Sequence, residues 1–191
     1  TPPYDDQFFF VHMAAYYVKS TGDVKILEQE INGERLIDRL QIAFSVPPAE
    51  PDTDIVYTSS AFRGVDFGFR DAIEITGDLC YTSLLKYRAA NELANLYGRL
   101  GDKGKAAQYW KIATAIKNVI PKRFLNTDGM LRASTGISSQ PDVWATAFAI
   151  YVKVLDGAQA TKACEHLANA YKSGTLSYKG NIRPVLTTDD F

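Results

Sequence analysis

Three times along this chain a tight turn joins a strongly apolar stretch to one with a one-sided pattern: Thr21-Gly22-Asp23, Leu100-Gly101-Asp102 and Leu155-Asp156-Gly157. A helix that is apolar nearly all round needs cover on most sides. One that is apolar on a single face keeps a solvated outer side. Joined by a short turn, the two make an antiparallel hairpin, and several such hairpins stand as an inner layer wrapped by an outer one. The expected fold class is therefore all-α, built from antiparallel helical hairpins within a single domain, residues 1–191. The turn glycines Gly22, Gly101 and Gly157 are unequally spaced, so no solenoid of fixed period accounts for them.

The individual helices follow from apolar spacing and breakers. Asp5 or Asp6 can cap a first helix reaching about Ser20, with Phe8, Phe9, Phe10, Val11, Met13, Tyr16 and Tyr17 distributed round it. A second, from Val24 to Phe44, carries Leu27, Ile31, Leu36, Ile37 and Leu40 among charges, until Pro47, Pro48 and Pro51 stop it. Asp78 can cap a third, to about Leu100. A fourth runs from Lys103 to about Ile120, where Pro121 ends it or opens one further turn. Asn126-Thr127-Asp128-Gly129 is a turn signal, within a small hairpin ending near Ala133. Asp142 caps a fifth helix, Val143 to Leu155, and a sixth spans about Ala158 to Lys172. Residues 52–77 form a long, aromatic and charged loop with a short strand at Ile55-Val56-Tyr57, the kind of loop that carries function in compact domains.

Composition narrows the partners. The net charge is −1 with both signs interspersed, which argues against nucleic acid or an anionic membrane surface. No apolar run approaches the ~20 residues that cross a bilayer, and Thr1-Pro2-Pro3-Tyr4-Asp5-Asp6 lacks the pattern of a signal peptide. Cys80 and Cys164 are isolated and read as free thiols, with a disulfide left open. His12 and His166 stand alone, so no protein-only zinc site and no cofactor is expected. Compartment and oligomeric state are not fixed. Aromatics make up 12% of the chain, and several lie close to acids. Sugar sites favour that mixture, because aromatic faces stack on C–H surfaces while carboxylates bind hydroxyls; core packing uses aromatics too.

Three segments resemble those of six-hairpin, or (α/α)6-toroid, glycoside hydrolases. Tyr4-Asp5-Asp6-Gln7-Phe8-Phe9 is similar to the aromatic-Asp segment that opens an inner helix near the sugar. Val65-Asp66-Phe67-Gly68-Phe69-Arg70 resembles the Gly-Trp-Asp-Phe-Ser-Ser-Arg segment of trehalase-like members, with Val65 in place of the Trp. Ser139-Gln140-Pro141-Asp142-Val143-Trp144 resembles Gln-Trp-Asp-x-Pro-x-x-Trp, with Pro and Trp rearranged. The resemblance covers roughly residues 4–155 and implies about half of a toroid, three hairpins of six. It implies hydrolysis of glycosidic bonds in an oligosaccharide or glycoside, with Asp66 as the general acid.

Such chemistry needs two carboxyl groups across the scissile bond: one protonates the departing oxygen, the other activates water or attacks carbon. Val65, Phe67 and Phe69 would desolvate Asp66 and raise its pKa toward a useful value. The structural alternative for Asp66 is a turn residue paired with Arg63 or Arg70. Asp5, Asp6, Phe67, Arg70, Asp71, Asp142 and Trp144 are the candidate substrate contacts. The alternatives for these are capping for the Asp residues, loop ordering for Asp71 beside Arg70, and core filling for Trp144. No second catalytic carboxyl follows Asp142. Thr187-Thr188-Asp189-Asp190-Phe191 reads as the cap of a further helix, so the chain is expected to be part of a larger catalytic domain, inactive alone, with the base elsewhere. Two other readings stay open. One is a tetratricopeptide-like scaffold, for which Leu93 to Ile116 could pass as one hairpin; the other is a six-hairpin domain that binds sugar without cleaving it.

Overall fold

A computed structural model describes residues 3–61, 63–67 and 73–189. The chain is all-α in character. Six α-helices are described: α1 (Asp5–Thr21), α2 (Leu36–Ser45), α3 (Cys80–Arg99), α4 (Lys103–Phe124), α5 (Val143–Tyr151) and α6 (Gly157–Lys172). Three antiparallel two-residue ladders accompany them: β1 (Glu30–Ile31) with β2 (Glu34–Arg35), β3 (Tyr57–Thr58) with β4 (Gly77–Asp78), and β5 (Ser177–Tyr178) with β6 (Asn181–Ile182).

Contacts along their length show that α1, α3 and α5 run parallel. Val65, joined to α1 through Tyr4, adjoins Asp66, which takes the Thr82 hydroxyl at the start of α3. Midway, His12 meets Glu92, and near the far end Arg99 Nη1 donates to the Val18 carbonyl, 3.3 Å. On α5, Trp144 lies near the start of α3 through Phe67, which also meets Tyr81, whereas Phe148 one turn later spans from Tyr81 to Arg88 further along α3. The other three helices return antiparallel as the outer layer. Phe44 at the end of α2 packs edge-on against Phe8, and Arg123 at the end of α4 reaches Asp78 before α3. The core lies between the layers, with Phe8, Leu40, Leu85 and Leu93 in one part and Leu84, Ile116, Ile120 and Phe124 in the other.

Several boundaries differ from the sequence expectation. The helix expected from Val24 to Phe44 is broken: a 3₁₀ turn at Lys25–Glu28 leads into the β1–β2 hairpin before α2 begins. Asn32 (φ 52°) and Gly33 (φ 82°) make its two-residue turn, an Asn-Gly signal that overrides the helical spacing of Leu27, Ile31 and Leu36. Neither Asp5 nor Asp6 caps α1. Tyr4 is the N-cap and both acids lie in the first turn, where the helix dipole favours negative charge. Asp78 does not cap α3 either, since its carboxylate accepts from Arg123 at 2.8 Å, a charge-assisted bond stronger than a cap. Pro121 lies inside α4, which continues to Phe124. Burying Ile120 and Phe124 together is worth about 3–6 kcal/mol, enough to offset the ~3 kcal/mol of an interior proline. The fifth helix stops at Tyr151, not Leu155, because Lys153 turns left-handed (φ 61°). The expected strand at Ile55–Tyr57 falls at Tyr57–Thr58, with Val56 in a single bridge to Ala49.

Candidate functional site at the rim of the inner helices

The leading ends of α1, α3 and α5 meet at one segment, Val65-Asp66-Phe67. Pro3 forms a parallel bridge with Val65, and Tyr4 N–H donates to the Val65 carbonyl at 3.0 Å. Gly64 makes this approach possible, because a Cβ there would stand 2.1–2.4 Å from atoms of the Tyr4 ring. The Asp66 carbonyl accepts the Thr82 hydroxyl at 2.8 Å, which fixes the segment on the first turn of α3. The Phe67 ring then meets Tyr81 of α3 at 5.5 Å and Trp144 of α5 at 5.7 Å, both edge to face.

Two loops hold the rim from outside. Val56 N–H donates to Ser83 Oγ and its carbonyl accepts from Leu79, tying the loop before β3 to the start of α3. Residues 125–142 fold back between α3 and α5: Cys80 N–H donates to Ala133, and Leu131 N–H to Thr146 Oγ1. Arg123 adds a clasp, donating to Glu50 at 2.6 Å and Asp78 at 2.8 Å. The Thr53 hydroxyl and Arg123 hold the Glu50 carboxyl below its ordinary range, whereas burial and the nearby Glu50 charge push that of Asp78 up.

The candidate residues fare unequally. Asp5, Asp66 and Asp142 are buried, and Asp6 is exposed in the first turn of α1. Asp142 is the cap expected of it: Oδ1 accepts Ala145 N–H at 2.9 Å. Val65 is buried beside Asp66, while Phe67 and Trp144 are half-buried and share their edge contact. Phe69, Arg70 and Asp71 lie outside the described residues. Arg63 and Glu74 border a cavity of about 490 Å³ beside the segment, lined also by Thr58, Ser59, Val65 and Thr76. No family model matches the chain, and no curated protein matches it in sequence.

Sequence reasoning missed a second group, on the inner face below the rim. His12 Nδ1 and Glu92 Oε1 lie 2.6 Å apart between α1 and α3. The Arg88 guanidinium sits 5.1 Å from the Phe9 ring centroid and 5.2 Å from that of Phe148. All three border a cavity of about 710 Å³ with Tyr16 and Tyr151. Burial pushes the Glu92 carboxyl above its ordinary value. Residues 80 positions apart leave no local motif, and only the α1–α3 packing brings them together. Among the described residues, no three His, Cys, Asp or Glu side chains gather as a metal site, and no helix is long and apolar enough to cross a membrane.

Proposed function

We propose that this rim is the sugar-processing end of half an (α/α)6 toroid, which hydrolyses glycosidic bonds in an oligosaccharide or glycoside by carboxyl acid/base catalysis. Asp66 is the general acid in this reading. The observation that carries it is the position of Val65-Asp66-Phe67: the segment touches the leading end of each of three parallel inner helices. The next residue, Phe67, meets Tyr81 and Trp144 edge to face, and the preceding one, Val65, lines a cavity with Thr58, Ser59 and Thr76. Asp66 is wholly buried, so its cover must open when a substrate binds, as enzyme lids do. The reading also requires a second carboxyl group, the base, across the scissile bond. Asp6 is the exposed acid at the mouth and the better placed to bind sugar hydroxyls; Asp142 is committed to its cap.

The rival reading, a tetratricopeptide-like scaffold, finds less support. The described helices range from 9 to 22 residues, and the described parts of the connections 46–79 and 125–142 gather at one rim. A sugar-binding domain without catalysis is separated from an enzyme by experiment. Turnover of a panel of aryl glycosides and oligosaccharides is measured for the protein with its ring complete and for Asp66→Asn. An acid predicts a loss of about 10²- to 10⁴-fold in kcat with binding retained. Unchanged turnover removes Asp66 from the mechanism, and binding without turnover in the parent protein favours the non-catalytic domain.

A further inference from the structure

A pocket of about 330 Å³ lies among α2, α3, α4 and the loop 46–54, and none of the candidate substrate contacts lines it. Two of its lining residues are polar and almost wholly buried, Lys86 at 4% exposure and Tyr109 at 3%. The Lys86 ammonium donates to the Asp54 carboxylate at 3.0 Å and stands 5.3 Å from the centre of the Phe44 ring. An ammonium has three N–H donors, and Asp54 is its hydrogen-bond partner among the described residues. Tyr109 meets the same Phe44 ring edge-on at 5.3 Å and is stacked on Tyr97, so its ring is fixed on two sides. Its hydroxyl has no hydrogen-bond partner among the described residues. Burial pushes that hydroxyl well above its ordinary value, so it remains an O–H donor at neutral pH. Asp54 itself holds a left-handed backbone, φ 59°, which costs energy for a residue other than glycine.

We infer that this pocket binds a small monocarboxylate, whose oxygens accept from the Lys86 ammonium and the Tyr109 hydroxyl. Buried donors are costly unless matched, and the two converging on Phe44 ask for an acceptor. An ionised carboxylate is acceptor-only and offers two oxygens. The charges lining the pocket point the same way. Asp54 balances Lys86, and Arg123 balances Glu50. Lys105 is bonded to the neutral Gln41 at 2.9 Å, which leaves one positive charge over. A cation would meet Lys86 and Lys105, and a neutral amide would answer the hydrogen bonds without the charge. The apolar body of the ligand lies against Phe44, Ile112 and Pro47, which line the same pocket. The volume is at the low end for ligand sites and suits a molecule of few heavy atoms. Asp54 keeps the ammonium in place, which gives its left-handed backbone a purpose. The inference does not depend on the reading of the rim.

Calorimetric titration with propionate, lactate and benzoate, at fixed ionic strength and beside the neutral propionamide and benzamide, tests this. At least one carboxylate should bind saturably and raise Tm with its concentration, and its amide should bind at least about tenfold more weakly. Tyr109→Phe removes a single oxygen and keeps both ring contacts. It should weaken carboxylate binding by about tenfold, the worth of one hydrogen bond to a charged group. Lys86→Met should abolish binding. Should Lys86→Met fail to fold, Tyr109→Phe still decides the matter. The inference is overturned if no carboxylate binds, if an amide binds as tightly as its acid, or if the affinity survives Tyr109→Phe.

Discussion

The Glu92 carboxyl lies on α3 facing α1, with His12 Nδ1 2.6 Å from one oxygen and its side chain 18% exposed. Its other oxygen, and Nε and Nη2 of Arg88, are buried with no hydrogen-bond partner among the described residues. Desolvation is the larger influence on Glu92 and raises its pKa above the ordinary 4.5, against the opposing pull of His12 and Arg88. An acid whose folded pKa is raised binds its proton more tightly in the folded state. The stability it lends is therefore full below 4.5 and is lost as pH rises through the raised value. Urea unfolding of the parent and Glu92→Gln as pH rises past 4.5 should show the parent losing stability relative to the variant. A difference that does not change with pH would contradict the burial argument. None of this is legible in sequence, where His12 and Glu92 are two unremarkable polar residues on separate helices.

At the scale of elements, the hairpin turns, the Asp142 cap and the turn at Asn126–Gly129 were legible because each rests on local chemistry. Gly22 adopts φ 75° at the end of α1, and Gly129 adopts φ 87° in the turn. What escaped depends on distant partners. Asp78 reads as a cap until Arg123 claims its carboxylate, and Pro121 reads either as the end of α4 or as the start of one further turn until the buried side of Phe124 decides for the turn. Asp142 offers a measurement at this scale. Asp142→Ala should lose about 1–2 kcal/mol of stability in urea, whereas Asp142→Asn, which still caps, should lose far less. Equal losses would assign the carboxylate a role other than the cap. The Tyr4–Gly64 approach offers another. Gly64→Ala drives a methyl into the buried Tyr4 ring and should cost about 1–3 kcal/mol by overpacking, read as a lowered urea midpoint. A neutral result would show that the start of α1 is not pinned to the rim segment.

For the molecule as a whole, the all-α class was legible in the sequence. The three acid-bearing segments that resemble glycoside-hydrolase segments, Tyr4–Phe9, Val65–Arg70 and Ser139–Trp144, meet at one rim over their described residues. The bare flank of α1, with Phe10, Met13 and Tyr17 exposed, was not legible, because an apolar pattern states what a helix could bury and not what stands beside it. Likewise Trp144 was weighed as core filling or stacking platform, and it is half-buried with its ring on Phe67. The chain has two tryptophans, Trp144 at the rim and Trp110 on the outer face of α4, so a ligand at the rim can be observed without any catalysis. Titrating the protein with a panel of oligosaccharides while following tryptophan emission should give a saturable change for at least one sugar. That change should vanish in Trp144→Phe and persist in Trp110→Phe. No saturable change with any sugar, or a response that survives Trp144→Phe, would contradict a carbohydrate site at the rim.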